Sequence, residues 1–204
     1  MSPIIKHTLA ILAIVAGCIV FSVTLVRAVW YAPEEGVFSV PTFFSPFSST
    51  TKAVSTPDSW PVRLSIPSLG VAANVQAVGV GKTGNMAVPT NYTDVAWYKG
   101  GTSPGHIGSA VFDGHVDNGF GLDGVFKHLG DIAIGAHILV TTKDGTTYTY
   151  GVDRTEAYPY DAVPTDTIFH SDDAAHLVII TCDGVWISGK KTYDHRLVVY
   201  ATLQ

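Results

Sequence analysis

Three segments of this chain carry residue types capable of covalent chemistry. Ser109-Ala110-Val111-Phe112-Asp113-Gly114-His115 is a short apolar run that reaches a histidine just past a glycine. Val178-Ile179-Ile180-Thr181-Cys182 is an apolar, β-branched run ending on a cysteine, followed by Asp183-Gly184. Tyr193-Asp194-His195-Arg196 leads into Leu197-Val198-Val199-Tyr200, which places an arginine at the start of the last strand. Singly, each has an ordinary explanation. Cysteine is among the most buried residue types, a histidine after a strand is commonly a satisfied surface residue, and an arginine beginning a strand commonly keeps its head in water. Together they compose a nucleophilic site. A thiolate attacks carbonyl carbon, but a free cysteine of pKa about 8.5 is mostly thiol at neutral pH. A nearby histidine favours the thiolate and then protonates a departing amine. A guanidinium that never loses its proton supplies fixed donors to the oxyanion of the tetrahedral intermediate. Cys182, His115 and Arg196 are therefore the candidate nucleophile, general acid and oxyanion-stabilising group of an acyl transfer.

For this chemistry the three segments must meet, and the chain from residue 61 to 204 has the means. Val62-Arg63-Leu64-Ser65-Ile66 alternates as a half-buried strand does. Val75–Val80 and Gly108–Phe112 read as further short strands. Ile138–Thr142 and Thr146–Tyr150 flank Lys143-Asp144-Gly145, a strong hairpin signal. Leu177–Thr181 and Leu197–Leu203 read as buried strands, and Asn91–Tyr98 and Leu122–Leu129 as short helical pieces. Many short strands with Gly-rich turns predict an all-β, closed barrel. In such a barrel, strand ends gather at one rim.

The N-terminal part is different. Residues 1–8 form a short tail with Lys6, and residues 9–28 an apolar run long enough to span a bilayer as a helix, with Trp30 and Tyr31 where interfacial aromatics are expected. A retained anchor is the favoured reading over a cleaved signal at Val26-Arg27-Ala28, with the N-terminus inside and the domain outside the cell membrane. Residues 29–60, rich in Ser, Thr, Pro and Phe, read as a linker. Phe38, Phe43, Phe44 and Phe47 pack on the domain or membrane surface, or alternatively cover the site as a lid.

The bulk numbers exclude other classes. With 17 acidic against 12 basic residues and no basic cluster, electrostatic binding to nucleic acid has nothing to work with. The two cysteines, Cys18 and Cys182, read as free thiols, because Cys18 lies in the apolar run. An unpaired thiol in an exported domain calls for a reason. A metal site built from Asp113, His115, Asp117 and Cys182 or His195 lacks ligand spacing. Papain-like enzymes place the cysteine before the histidine, and the L,D-transpeptidases place a histidine close before theirs. A non-enzymatic, membrane-anchored β-barrel binding module has no use for the thiol. Gly79-x-Gly81-x-x-Gly84 reads as a turn-rich connection.

The three segments resemble the active-site motifs of the sortases, transpeptidases of the bacterial cell surface. Val178-Ile179-Ile180-Thr181-Cys182 resembles the family's Thr-Leu-x-Thr-Cys at Thr181 and Cys182, with conservative departures at its first two positions. His115 matches the family histidine, with Asp113 standing where a small residue is more usual. Arg196, fourteen residues after Cys182, matches the family arginine. The likeness extends to Leu64-Ser65-Ile66-Pro67, Gly101-Thr102-Ser103-Pro104-Gly105 and the N-terminal anchor, and is greatest to class F sortases. It implies an eight-stranded barrel with a groove for a Leu-Pro-x-Thr-Gly-like sorting signal. Cys182 would attack the Thr carbonyl, His115 would protonate the leaving amine, and Arg196 would hold substrate and oxyanion. An amine, from a peptidoglycan precursor or a protein, would resolve the thioacyl intermediate. No cofactor or metal is implied. Thr181 would support the substrate or orient the cysteine, or simply pack in its strand.

Overall fold

The strands form largely where alternation in the sequence places them, and they close on themselves. The computed structural model describes residues 3–30, 38–39, 57–81, 84–118 and 121–204. In chain order the elements are helix α1 (Pro3–Trp30), β1 (Phe38–Ser39), β2 (Pro61–Ile66), β3 (Val71–Val78), β4 (Asn85–Met86), β5 (Val95–Tyr98), β6 (Gly108–Asp113), β7 (His137–Thr142), β8 (Thr147–Pro159), α2 (Thr165–Phe169), β9 (Ala175–Ile187) and β10 (Thr192–Leu203). Eight strands form a closed barrel in the order β10-β8-β7-β2-β3-β5-β6-β9, with β9 returning to β10. The β3–β5 and β6–β9 pairs are parallel and the others antiparallel. The expected all-β barrel is the observed one.

Side-chain alternation divides β5, β6, β9 and β10 between two apolar clusters. Leu64, Trp97, Phe112, Ile138, Leu177 and Ile179 belong to one, which fills the barrel. Met86, Ala96, Tyr98, Val111, Ile168, Val178, Ile180 and Val198 belong to the other, on the outer face beneath α2. On β9, residues 177 and 179 therefore point inward, and residues 178 and 180 outward.

Two expected helical pieces are not helices. Asn91 Oδ1 accepts the backbone N–H groups of Thr93 and Asp94 at 3.0 and 2.7 Å, which makes a side-chain-capped turn instead of a helical one. Val95–Tyr98, wholly buried, then pairs as β5. In the Leu122–Leu129 segment the N–H groups of Gly124, Val125 and Phe126 go to Val116, Tyr92 and His115. Only the 3₁₀ turn Leu129–Asp131 is helical there. The short helix α2 falls where none was expected. The Lys143-Asp144-Gly145 hairpin forms as expected, with Gly145 at φ +87° and Asp144 accepting from Thr142 Oγ1 and Thr146 N–H. Those bonds hold the Asp144 carboxyl below its ordinary pKa, the Thr142 hydroxyl contributing most.

The 9–28 segment is helical within α1, and its described side chains, Ile11 to Val26, are all exposed. Among the described residues no helix is long and apolar enough to cross a membrane, so a helix is present while its crossing of a bilayer is not shown. Of the 29–60 linker, Phe38-Ser39 pairs with Met86-Asn85. Phe43, Phe44, Phe47 and the lid reading built on them lie outside the described residues.

Ile179 is fully buried in the barrel interior. Ile179→Ala removes three carbons there and is expected to cost about 2–5 kcal/mol of unfolding free energy, measured by urea denaturation.

Candidate active site

The β6–β9–β10 register brings the three chemical residues together. β6 and β9 run parallel, with Asp113 opposite Ile180. His115 and Cys182 each lie two residues beyond that pair, at the same end of the barrel. Gly114 N–H donates to Ile180 O (3.3 Å), and the buried Thr181 hydroxyl donates to Gly114 O (2.8 Å). On the other side, β10 pairs antiparallel with β9 and sets Arg196 directly opposite Cys182. Cys182 and Arg196 thus face each other on adjacent strands, with His115 in the segment just past β6, the strand on the other side of β9.

Cys182 does not end its strand and Arg196 does not open its own, as the sequence had suggested. β9 continues through Asp183-Gly184 to Ile187, and β10 begins at Thr192. The ladder survives the Asp-Gly step because of an irregularity at Asp194, between Tyr193 and His195. Asp194 Oδ1 accepts the Val185 N–H (2.7 Å) and bonds His195 Nδ1 (2.9 Å). A Cβ on Gly184, at φ +83°, would meet that same oxygen at 2.1 Å, so glycine is required there.

By alternation, Cys182 shares the outer face with Ile180, and Asp113 shares it with Val111. Cys182 is partly exposed, whereas Arg196 is fully buried and is no surface-snorkelling group. The Arg196 guanidinium donates through Nη1 to Tyr193 O (3.0 Å) and His195 O (2.7 Å), and through Nη2 to Thr192 Oγ1 (2.6 Å). These bonds offset its desolvation and fix its plane. His115 Nε2 lies 3.2 Å from Pro89 O, and the ring packs on Tyr92 with centroids 4.9 Å apart. With Nε2–H donating to that carbonyl, Nδ1 is the nitrogen left for proton transfer. Thr181 is 2% exposed, and its hydroxyl bond to Gly114 O ties the cysteine strand to the histidine segment.

Burial dominates the electrostatics. It pushes the Cys182 thiol up to about 11, against the opposing charge of Arg196, with Asp113, Asp117 and Asp183 adding to the rise. Burial also lowers the His115 pKa, partly countered by the Pro89 carbonyl and Asp117. The resting pair is thus neutral thiol and neutral imidazole. With burial lowering the imidazole and raising the thiol, the ion pair is the minor form. Asp113, almost wholly buried, is pushed up to about 7 by desolvation, against the Gly114 N–H and the charge of Arg196.

Sequence reasoning missed two partners. Tyr193 donates its hydroxyl to Asp117, a residue weighed in the sequence as a metal-ligand candidate, and Pro89 holds the histidine through a backbone oxygen. The Tyr193–Asp117 contact joins residues 76 apart in the chain, and no local pattern announces it. Among the described residues, no group of histidine, cysteine, aspartate or glutamate side chains is arranged to hold a metal.

A closed eight-stranded barrel with a strand-borne thiol between an imidazole and a guanidinium is the architecture of one class of cysteine enzymes. Residues 64–204 match the sortase domain model, and the chain belongs to the sortase family, whose members are cysteine transpeptidases. Solved structures share the fold. Sortase D5 transpeptidase of Clostridium perfringens is 18% identical, with a TM-score of 0.52 over 70% of this chain and 77% of that one. A lid mutant of Corynebacterium diphtheriae sortase A is 22% identical, with a TM-score of 0.55 over 70% and 68%. Sortase C1 of Streptococcus suis is 18% identical, with a TM-score of 0.55 over 71% and 73%. By name these belong to classes A, C and D, so the likeness to class F rests on the sequence motifs alone. No curated protein matches the chain in sequence.

Two consequences are measurable. The unfolded chain loses the Asp113 proton near pH 4, while the folded protein holds it to about 7. Folding is therefore penalised progressively as pH rises across that window, and fully penalised above it. Asp113→Asn is expected to raise unfolding free energy by roughly 1–4 kcal/mol at pH 8 relative to its effect at pH 4, read by urea denaturation at the two pH values. Tyr193→Phe removes the tie between the His115 loop and β10. A roughly tenfold fall in kcat with little change in KM is expected for any peptide substrate, measured by steady-state kinetics.

Proposed function

We propose that this protein is a cysteine transpeptidase that cleaves a Leu-Pro-x-Thr-Gly-like sorting signal and transfers the acyl group to an amine at the cell surface. The observation that carries the reading is the convergence of His115, just past the end of β6, with Cys182 on β9 and Arg196 opposite it on β10, at one end of a sortase-family barrel.

Each residue has a role that its environment supports. The Cys182 sulfur attacks the Thr carbonyl as its proton passes to His115 Nδ1, so charge develops only as the bond forms. The same imidazolium then protonates the departing glycine amine, which leaves a thioacyl enzyme. Arg196, rigidly held and fully buried, places a fixed positive charge beside the oxyanion, where a low dielectric strengthens it. An incoming amine, from a peptidoglycan precursor or another protein, gives its proton back to His115 and releases the thiol.

The same reading places the enzyme in the cell membrane as a single-pass protein, with residues 9–28 of α1 as anchor and the barrel outside. The exposed apolar side chains from Ile11 to Val26 support it, since such a surface is costly in water. The class F assignment is supported by the motifs at Leu64–Pro67 and Gly101–Gly105.

The test is incubation of the full chain with a fluorescent sorting-signal peptide library and an amine acceptor. Wild type is expected to cleave and to show a thioacyl adduct on Cys182 by mass spectrometry. Cys182→Ala is expected to lose all turnover, and Arg196→Lys to lose about 10²–10³ in kcat/KM. Undiminished turnover by Cys182→Ala would overturn the reading.

A further inference from the structure

Asp113 is the one charged side chain that the strand register sets on the outer face of β6 beside the reactive end. It is 6% exposed and stands opposite Ile180, one outward-facing position short of Cys182. Across β9 lies Arg196, itself fully buried. A carboxyl there has water on neither side, and within electrostatic reach it finds both the guanidinium and the sulfur. The other groups with charge or a proton to lose near it are His115 and Asp117 farther along its own segment, and Asp183 beside the cysteine. The rest of the outer cluster packed around β6 and β9 carries no charge: Met86, Ala96, Tyr98, Val111, Ile168 and Ile180.

We propose that Asp113 is a positioning residue that controls how much of the Arg196 charge reaches Cys182, releasing that charge to the thiolate only while its carboxyl is protonated. One guanidinium faces two potential anions. An ionised Asp113 satisfies it and also repels the negative sulfur through a low-dielectric interior, where opposite and like charges act strongly. A protonated Asp113 does neither, and Arg196 then acts on the thiolate and, by the transpeptidase reading on which this part rests, on the oxyanion. The carboxyl holds its proton to near neutrality because burial disfavours its charge. The changeover therefore falls in the range where a surface enzyme works, and the site weakens as the medium turns alkaline. A small residue at this position would leave Arg196 to the thiolate at every pH.

The deciding measurement needs no turnover. Alkylation of Cys182 by iodoacetamide is followed from pH 5.5 to 9 by site-resolved mass spectrometry, which separates it from Cys18, in the full chain as wild type and as Asp113→Asn. The rate ratio of variant to wild type is expected to climb by roughly three- to tenfold across neutrality, with Asp113→Ala giving the same climb should the amide perturb folding. The matching kcat/KM ratio on a sorting-signal peptide is expected to climb over the same range. An alkylation ratio that stays level from pH 5.5 to 9 in both variants overturns the proposal. A climbing alkylation ratio with no peptide turnover in any variant upholds the role of Asp113 and counts instead against the transpeptidase reading.

Discussion

The hydrogen-bonded ladder between β6 and β9, continued by the ladder between β9 and β10, is the constraint on which the site depends. Parallel strands cannot be joined by a tight turn, so β7, β8 and α2 all intervene between β6 and its partner β9. The entropy of closing so long an excursion is recovered by burying the inward row Phe112, Leu177 and Ile179 and the outward row Val111, Val178 and Ile180. Because side chains alternate with a period of two, a slip of one residue would send Cys182 inward and expose half of those rows. The register that stabilises the barrel is thus the register that presents the thiol. The Thr181 hydroxyl on Gly114 O pins it within one residue of both His115 and Cys182.

The same burial that stabilises the fold keeps the site quiet. Cys182 rests as a thiol and His115 as a neutral imidazole, each disfavoured as an ion by desolvation. The free thiol is accordingly held in its less oxidisable and less nucleophilic form. In the proposed mechanism, reactivity is supplied when proton transfer and sulfur attack occur together, with Arg196 already in place. A wholly buried arginine is expensive. Here two main-chain carbonyls and a threonine hydroxyl offset the cost while leaving the net charge intact. The bonds it donates to these neutral acceptors fix the cation without cancelling its charge.

How far the sequence revealed this varies with the range of the interactions. The barrel was legible because alternation is a local signal, and β2, β6 and β7 fall almost where it places them. Cys182, His115 and Arg196 were legible as chemistry because their types are uncommon in such runs. The lengths of β9 and β10 were not legible, since Asp183-Gly184 reads as a turn until Asp194, ten residues on, is known to cap it. Asn91–Tyr98 looked helical because the side-chain bonds of Asn91 and the burial of Val95–Tyr98 are consequences of tertiary structure. Pro89 holds His115 through a backbone oxygen, which no residue type encodes. Thr181 matched a motif, yet its function as a tie appears only when the strand opposite is known.

The hairpin beyond Cys182 extends the same logic to the molecular surface. Val185 and Trp186 stand 70% and 50% exposed, large apolar groups that a strand ending at the cysteine would not have carried. Trp186 packs edge-on against Tyr193 at 5.3 Å, Tyr193 bonds Asp117 through its hydroxyl, and its carbonyl accepts from Arg196. Asp117 in turn lies two residues from His115 and favours its charged form. Tyr193 therefore meets the exposed hairpin through its ring, the histidine loop through its hydroxyl and the arginine through its main-chain carbonyl. These contacts pass through an aromatic face, a hydroxyl and a peptide oxygen on rigidly paired strands. The hairpin, the histidine loop and the buried cation are thus joined through a single residue. Precision at the thiol is thus tied to order at the surface, by a residue that performs no chemistry of its own.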